Sequence, residues 1–212
     1  MADLSCKIAG IDSLNPFWLA SAPPTDKKYN VVRAFEAGWG GVVWKTLGID
    51  PPVVNVSSRY GAHHDQNRRL LGINNIELIS DRPLEVNLQE IRECRKEYPD
   101  HVIIGSMMAP IEERAWKDLA QQIAESGVHG IELNLGCPHG MSERGMGSAI
   151  GPVPEMVEQV TRWVKDAVDI PVFTKLTPNI TNILWSAEAA LKGGADAVSL
   201  INTVNSIISV DL

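Results

Sequence analysis

Cysteine is scarce in this chain: only Cys6, Cys94 and Cys137 occur in 212 residues. They are odd in number and far apart, without the paired spacing of a zinc or iron–sulfur site, which argues against a disulfide scaffold or a metal cluster within this stretch. Long apolar runs are missing too. None approaches the ~20 residues that cross a bilayer, so no membrane association is expected. The opening Met1-Ala2-Asp3-Leu4-Ser5-Cys6-Lys7 has neither the basic nor the apolar region of a signal peptide, and a cytoplasmic location is expected. Basic charge is also short: 19 Lys and Arg stand against 26 Asp and Glu, a net −7 with no basic run. That balance argues against a nucleic-acid or anionic-membrane surface, while leaving room for a local basic pocket. Aromatics make up only 6%.

What is present is an ordinary apolar content, 44%, punctuated by 17 Gly and 13 Pro. These figures suit one globular domain. Short apolar, β-branched-rich runs predict strands over 16–20, 41–45, 102–106, 130–135, 171–176 and 197–201. Helical patterns fall between them, over 29–37, 83–98, 112–126, 153–168 and 182–192. Gly38, Gly127 and the pair Gly193-Gly194 stand where a helix gives way to a strand. The segments AFEAGWGGVVWKT, IAESGVHGIELNL and ALKGGADAVSLIN share one plan of helix end, glycine turn, buried strand and polar residue. Such recurrence predicts alternating β and α units around a parallel sheet. A glycine-rich turn after the first strand would have marked a dinucleotide-binding fold, but Ser21-Ala22-Pro23-Pro24 stands there. The expected fold is therefore an α/β TIM barrel. Residues 47–98 form its one long βα insertion, as a lid or binding loop would.

In parallel α/β folds ligands bind where strands end, so polar residues closing apolar runs mark the candidate site. Lys45 closes GGVVWK, Lys175 closes IPVFTK, Asn134 closes GIELN, and Asn202-Thr203 closes VSLINT. A single strand-end lysine more often snorkels at the surface, and a single asparagine more often serves a turn. Their recurrence on four strands is what points to a shared mouth. Cys137 follows Asn134 into a glycine-rich loop with His139, Gly140, Gly145, Gly147 and Gly151. A free cysteine can be a small buried hydrophobe, and equally a proton donor tuned by neighbouring charge. Amide side chains match an imide edge in two-point fashion, so a small, planar, neutral substrate suits this set. Asn75 and Glu77 of the insertion are further candidates, with a plain turn at Asn74-Asn75 as the alternative.

Taken together, NPFWLASAPPT, RAFEAGWGGVVWKT, GINNIELISDR, NLGCPHGMSERGMG, KLTPNIT and GGADAVSLINTVNS resemble the flavin-binding barrel of the dihydropyrimidine dehydrogenases, relatives of class 1 dihydroorotate dehydrogenases. The resemblance spans essentially the whole chain. Its most specific part is Asn-x-x-Cys-Pro-His-Gly-Met, because the dihydroorotate enzymes usually carry Asn at the position of His139. The resemblance implies an FMN cofactor and reduction of uracil or thymine to the 5,6-dihydro compound. It implies that Ser21, Lys45, Thr46 and Lys175 contact the flavin, and that Asn75, Asn134, Leu135, Gly136, Asn202 and Thr203 hold the pyrimidine. Cys137 would be the general acid that protonates carbon 5 while carbon 6 receives hydride, and the base in the reverse direction. Gly136 departs from the pattern, since many relatives have serine there. Electrons ultimately from NAD(P)H would arrive through a partner subunit or domain bearing FAD and iron–sulfur clusters, in a homo- or hetero-oligomer. The alternatives are a dihydroorotate dehydrogenase and a non-catalytic barrel fragment or assembly partner.

A TIM barrel has eight strands, typically in ~250 residues, whereas six are counted in this sequence. The expectation is one FMN- and pyrimidine-binding barrel domain over 1–212, incomplete at its C-terminus by ~70 residues at the barrel's usual spacing. The flavin-phosphate half of the site would then lie outside the chain. On its own, such a piece is expected to expose open sheet edges and to bind flavin weakly or not at all.

Overall fold

The computed structural model describes residues 2–50, 60–138 and 142–207. The chain begins with an antiparallel hairpin, β1 (Cys6–Ile8) and β2 (Ile11–Ser13), in which Ile8 faces Ile11. Its two-residue turn has Ala9 at φ 48° and Gly10 at φ 83°, the positive-φ pair that matches strand twist.

Alternating units follow: β3 (Trp18–Leu19), α1 (Lys28–Glu36) and β4 (Gly41–Leu47). The insertion after β4 carries a second hairpin, β5 (Tyr60–His64) with β6 (Leu70–Asn75), before α2 (Leu84–Glu97). Then come β7 (Val102–Met107), α3 (Glu113–Glu125), β8 (Gly130–Asn134), α4 (Pro154–Lys165), β9 (Val172–Lys175), α5 (Ile183–Lys192) and β10 (Ala197–Ser199).

Among the described residues, six strands form one sheet in the order β3-β4-β7-β8-β9-β10, every pair parallel. That order follows the chain without reversal. A doubly wound sheet reverses at a switch point; a barrel wall does not. The expected parallel α/β barrel wall is therefore what forms, with β3 and β10 as its edges. β4, β7 and β8 are buried along their whole length, as strands covered on both faces must be.

Alternation sorts their side chains into two layers. Val42, Trp44, Ile103, Ile131 and Leu133 face outward into the main core. There they meet helix faces with apolar residues three and four apart, such as Trp116, Leu119, Ala120 and Ile123 of α3 or Val157, Val160 and Val164 of α4. Val43, Val102, Ile104 and Phe173 point the other way and form a separate apolar plug, closed by Ile11 of the first hairpin. Further along the same inner face, toward the strand ends, the residues become polar: Lys45, Ser106, Glu132, Asn134, Lys175 and Ser199. The site stands on that apolar floor.

Candidate active site

A cavity of about 140 Å³ opens at the carboxyl ends of the strands, lined by Ser21, Lys45, Thr46, Asn75, Glu77, Asn134, Cys137, Lys175, Asn202 and Thr203 among others. Strands β4, β5, β6, β8 and β9 and the loops after β3, β6, β8 and β10 contribute to it. Near its end β4 shifts register against β7 between Trp44 and Leu47, and such an irregularity re-aims side chains. Consecutive residues Lys45 and Thr46 thus both reach the cavity.

Thr46 is the hub of the polar wall. Its backbone N–H donates to Ser21 Oγ at 3.0 Å, and its Oγ1 lies 3.1 Å from Ser21 Oγ and 3.0 Å from Ser106 Oγ. Asn134 Nδ2 donates to Thr46 Oγ1 at 3.0 Å, while Asn202 Nδ2 donates to Asn134 Oδ1 at 2.7 Å. The N–H of Gly136 also approaches Asn134 Oδ1, at 3.4 Å. Asn202 Oδ1 in turn accepts from the Thr203 N–H at 2.8 Å. This chain of bonds sets which way each amide faces. Each of these amide nitrogens has two hydrogens, so both asparagines keep donor capacity for a ligand.

Both lysines are paired with carboxylates. Lys45, 4% exposed, has its Nζ 2.6 Å from Glu77 Oε2. Lys175 Nζ lies 3.9 Å from Glu132 Oε1. Glu77 comes from the insertion, and its segment is laid across the mouth by the Ser80 N–H bonding the Thr46 carbonyl at 2.8 Å. Asn75 makes a local turn, accepting from the Glu77 N–H at 3.4 Å, and lines the cavity as well. The turn reading and the site reading of Asn75 thus describe the same residue.

The Cys137 thiol is 7% exposed and sits against Ile79, Met108 and Met146 while forming part of the cavity wall. Its Sγ is 3.9 Å from the Glu77 carbonyl oxygen. The loop after it closes tightly: Ser148 N–H donates to the Cys137 carbonyl at 3.0 Å, and Gly147, at φ 56°, leaves no room for a side chain because a Cβ there would be 2.6 Å from that carbonyl.

The structure therefore gathers Ser21, Lys45, Thr46, Lys175, Asn75, Asn134, Cys137, Asn202 and Thr203 around one space. Leu135 is different, since its side chain is fully buried in the outer core, and only its backbone can face a ligand. Gly136 packs on Thr177 and Asn202; a Cβ would lie 3.0 Å from atoms of both. His139 and Gly140 lie outside the described residues. Sequence reasoning missed Ser106, Glu132 and Ser199. The period-two rule could have found Glu132, which precedes Asn134 by two and must share its face.

Among the described residues no group of three or more His, Cys, Asp or Glu could hold a metal ion, and no helix is long and apolar enough to cross a membrane.

A sequence model described as dihydroorotate dehydrogenase matches residues 3–212. The chain is 40% identical over 216 residues to the chloroplastic NADP(+) dihydropyrimidine dehydrogenase of Arabidopsis thaliana, covering 99% of this chain and 51% of that protein. It is also 40% identical to the NAD-dependent dihydropyrimidine dehydrogenase subunit PreA of Escherichia coli, covering 99% of this chain and 50% of that subunit. The catalytic subunit of the NAD(+) dihydroorotate dehydrogenase B of Thermoplasma volcanium is 37% identical, with coverages of 98% and 64%. Among solved structures, a dihydroorotate dehydrogenase of Eimeria tenella in complex with ferulenol superposes with a TM-score of 0.75 at 15% identity, over 95% of this chain and 60% of that one. The chain thus spans about half the length of the first two relatives.

Proposed function

The chain belongs to the dihydroorotate dehydrogenase family, and from that premise we propose that it is the catalytic barrel portion of an FMN-dependent oxidoreductase that reduces uracil or thymine to the 5,6-dihydropyrimidine. The observation that carries this reading is the amide-lined cavity with Cys137 in its wall and a lysine at the end of each of two strands, Lys45 buried and Lys175 partly so.

The donor set fits a flavin. Lys45 and Lys175 bring ammonium groups, and Ser21 and Thr46 bring hydroxyls, to a cavity whose floor is apolar. Those four residues would hold the isoalloxazine, and bound FMN would supply hydride transfer. Positive charge fixed beside the ring favours electron-rich forms of it, a preorganised electrostatic effect. Asn75, Asn134, Asn202 and Thr203 orient the pyrimidine, their amides meeting its N–H and C=O edges in pairs. Cys137 gives a proton to carbon 5 of the pyrimidine in the reductive direction and removes it in the oxidative one. Its burial against Met108, Met146 and Ile79 keeps water from competing for that proton.

The 40% identity to the Arabidopsis and E. coli dihydropyrimidine dehydrogenases supports uracil over orotate as substrate. The Glu77 carboxylate, which lines the same cavity, is a natural acceptor for the N–H groups of a neutral pyrimidine. Electrons would reach the flavin from NAD(P)H through a flavin- and cluster-bearing unit, a partner subunit or another domain.

The test is turnover of the intact protein with its electron donor. Uracil should be reduced and orotate left unchanged, and Cys137→Ala should slow uracil reduction by ~10²–10⁴, the usual contribution of a general acid, with flavin content unchanged. Near-native turnover of the variant would remove the acid role, and preference for orotate would replace this reading with dihydroorotate oxidation.

A further inference from the structure

Glu132 takes no part in the cavity wall, yet it is enclosed on the inner face of the barrel wall as deeply as Lys45, at 4% exposure. It sits on β8 opposite Phe173 in the β8–β9 register, where the apolar plug gives way to the polar mouth. Its Oε2 accepts a hydrogen bond from Ser199 Oγ of β10 at 2.9 Å. Its Oε1 is buried and accepts no hydrogen bond, with Lys175 Nζ 3.9 Å away. A carboxylate taken out of water needs compensation. Here the compensation is one hydroxyl on one oxygen and one ammonium, not quite in contact, on the other.

The two cavity lysines therefore have different counter-charges. Lys45 is joined to Glu77 on the insertion, at 2.6 Å. Lys175 has its carboxylate beneath it, on a central strand of the sheet, held away from close pairing by the bond to Ser199. A lysine stem is flexible and its charge goes where its counter-ion permits. A carboxylate fixed below and slightly apart keeps the ammonium over the floor of the cavity without cancelling its charge.

We propose that Glu132, aimed by Ser199, is a positioning residue that sets how much of the Lys175 positive charge is available to the group bound in the cavity. The inference rests on the reading of that group as FMN. The resemblance assigned a role to Lys175 but none to Glu132 or Ser199.

The experiment is the midpoint potential of the flavin in the intact protein, alongside its flavin stoichiometry. Glu132→Gln keeps the shape and removes the negative charge, leaving the Lys175 charge uncompensated. The reduced, electron-rich flavin should gain, raising the potential by the equivalent of about tenfold in the reduced-to-oxidised ratio, about 30 mV for a two-electron couple. Glu132→Asp, which retains the charge, should stay near wild type. In a Lys175→Met background there is no ammonium for Glu132 to act on, so adding Glu132→Gln should shift the potential by clearly less than it does alone. A potential unmoved by Glu132→Gln, or moved equally in both backgrounds, overturns the proposal. Should Glu132→Gln fail to fold, Ser199→Ala examines the same contact. Freed from the hydroxyl, the carboxylate closes on Lys175 and the potential should fall; an unchanged or raised value overturns the proposal. Wild-type protein that takes up no flavin would instead refute the FMN reading, which separates the two failures.

Discussion

His129, in the turn leading into β8, shows how one buried ring ties stability to pH. Burial, helped by the positive charge of Arg95, holds its pKa down at about 4 against an ordinary 6.5. Geometry agrees, because the ring's Nδ1 accepts the Ile103 N–H at 3.0 Å and so carries no proton. Between pH 6.5 and about 4 the unfolded chain binds a proton here that the folded one does not. Folding stability should therefore be complete above pH 6.5 and fall as pH drops toward 4. Denaturant titrations at stepped pH check this, with His129→Gln expected to flatten that slope. Gly136 yields a second expectation. A side chain there meets Asn202 and Thr177 at 3.0 Å, closer than relaxed packing allows, so Gly136→Ser should displace Asn202 and raise the uracil KM several-fold. Overpacking of this kind costs ~1–3 kcal/mol, and a denaturant midpoint would register it. The strand-end residues were legible in sequence because each closes an apolar run. Ser106, Glu132 and Ser199 were passed over, since their polarity gains meaning only once the inner face of the barrel wall is defined.

At the scale of elements, what brings the insertion to the site is a buried amide. Asn87 on α2 is fully buried; its Oδ1 accepts from Trp44 Nε1 at 3.1 Å, and its Nδ2 donates to Ser80 Oγ at 3.2 Å and to the Pro83 carbonyl at 3.1 Å. It therefore fixes the stretch that lays Glu77 beside Lys45. Arg82 adds to the hold through Glu90 and the Asp26 carbonyl. Asn87→Ala leaves the Trp44 N–H buried without an acceptor, which should cost ~1–3 kcal/mol, read by chemical denaturation of the intact protein. It should also weaken pyrimidine binding more than flavin binding. Each predicted barrel strand and helix formed to within a few residues, since glycine turns and apolar periodicity mark them plainly. The two hairpins did not show in that reading. Cys6–Ile8 and Ile11–Ser13 are too short to have a period; Tyr60–His64 is mostly polar, and Leu70–Asn75 has apolar residues that are exposed and do not alternate.

For the molecule as a whole, the six parallel strands among the described residues make an arc with two edges, Trp18–Leu19 and Ala197–Ser199. Open strand edges invite pairing with other chains. Leu184, Trp185 and Leu191 of α5 and Leu200 and Val204 after β10 are exposed as well, and exposed apolar surface favours association. Residues 1–212 prepared alone should accordingly grow in mass with concentration, as light scattering would record, and hold flavin loosely. A stable monomer binding flavin tightly and stoichiometrically would contradict this. Whether this cavity exchanges hydride and a Cys137 proton with a neutral pyrimidine is decided by mixing the intact, flavin-loaded protein anaerobically with dihydropyrimidines and following loss of flavin absorbance. Dihydrouracil should bleach the flavin, dihydroorotate should not, and Cys137→Ala should slow the bleaching by ~10²–10⁴. Bleaching by dihydroorotate alone, or at an unaltered rate in the variant, would contradict that exchange.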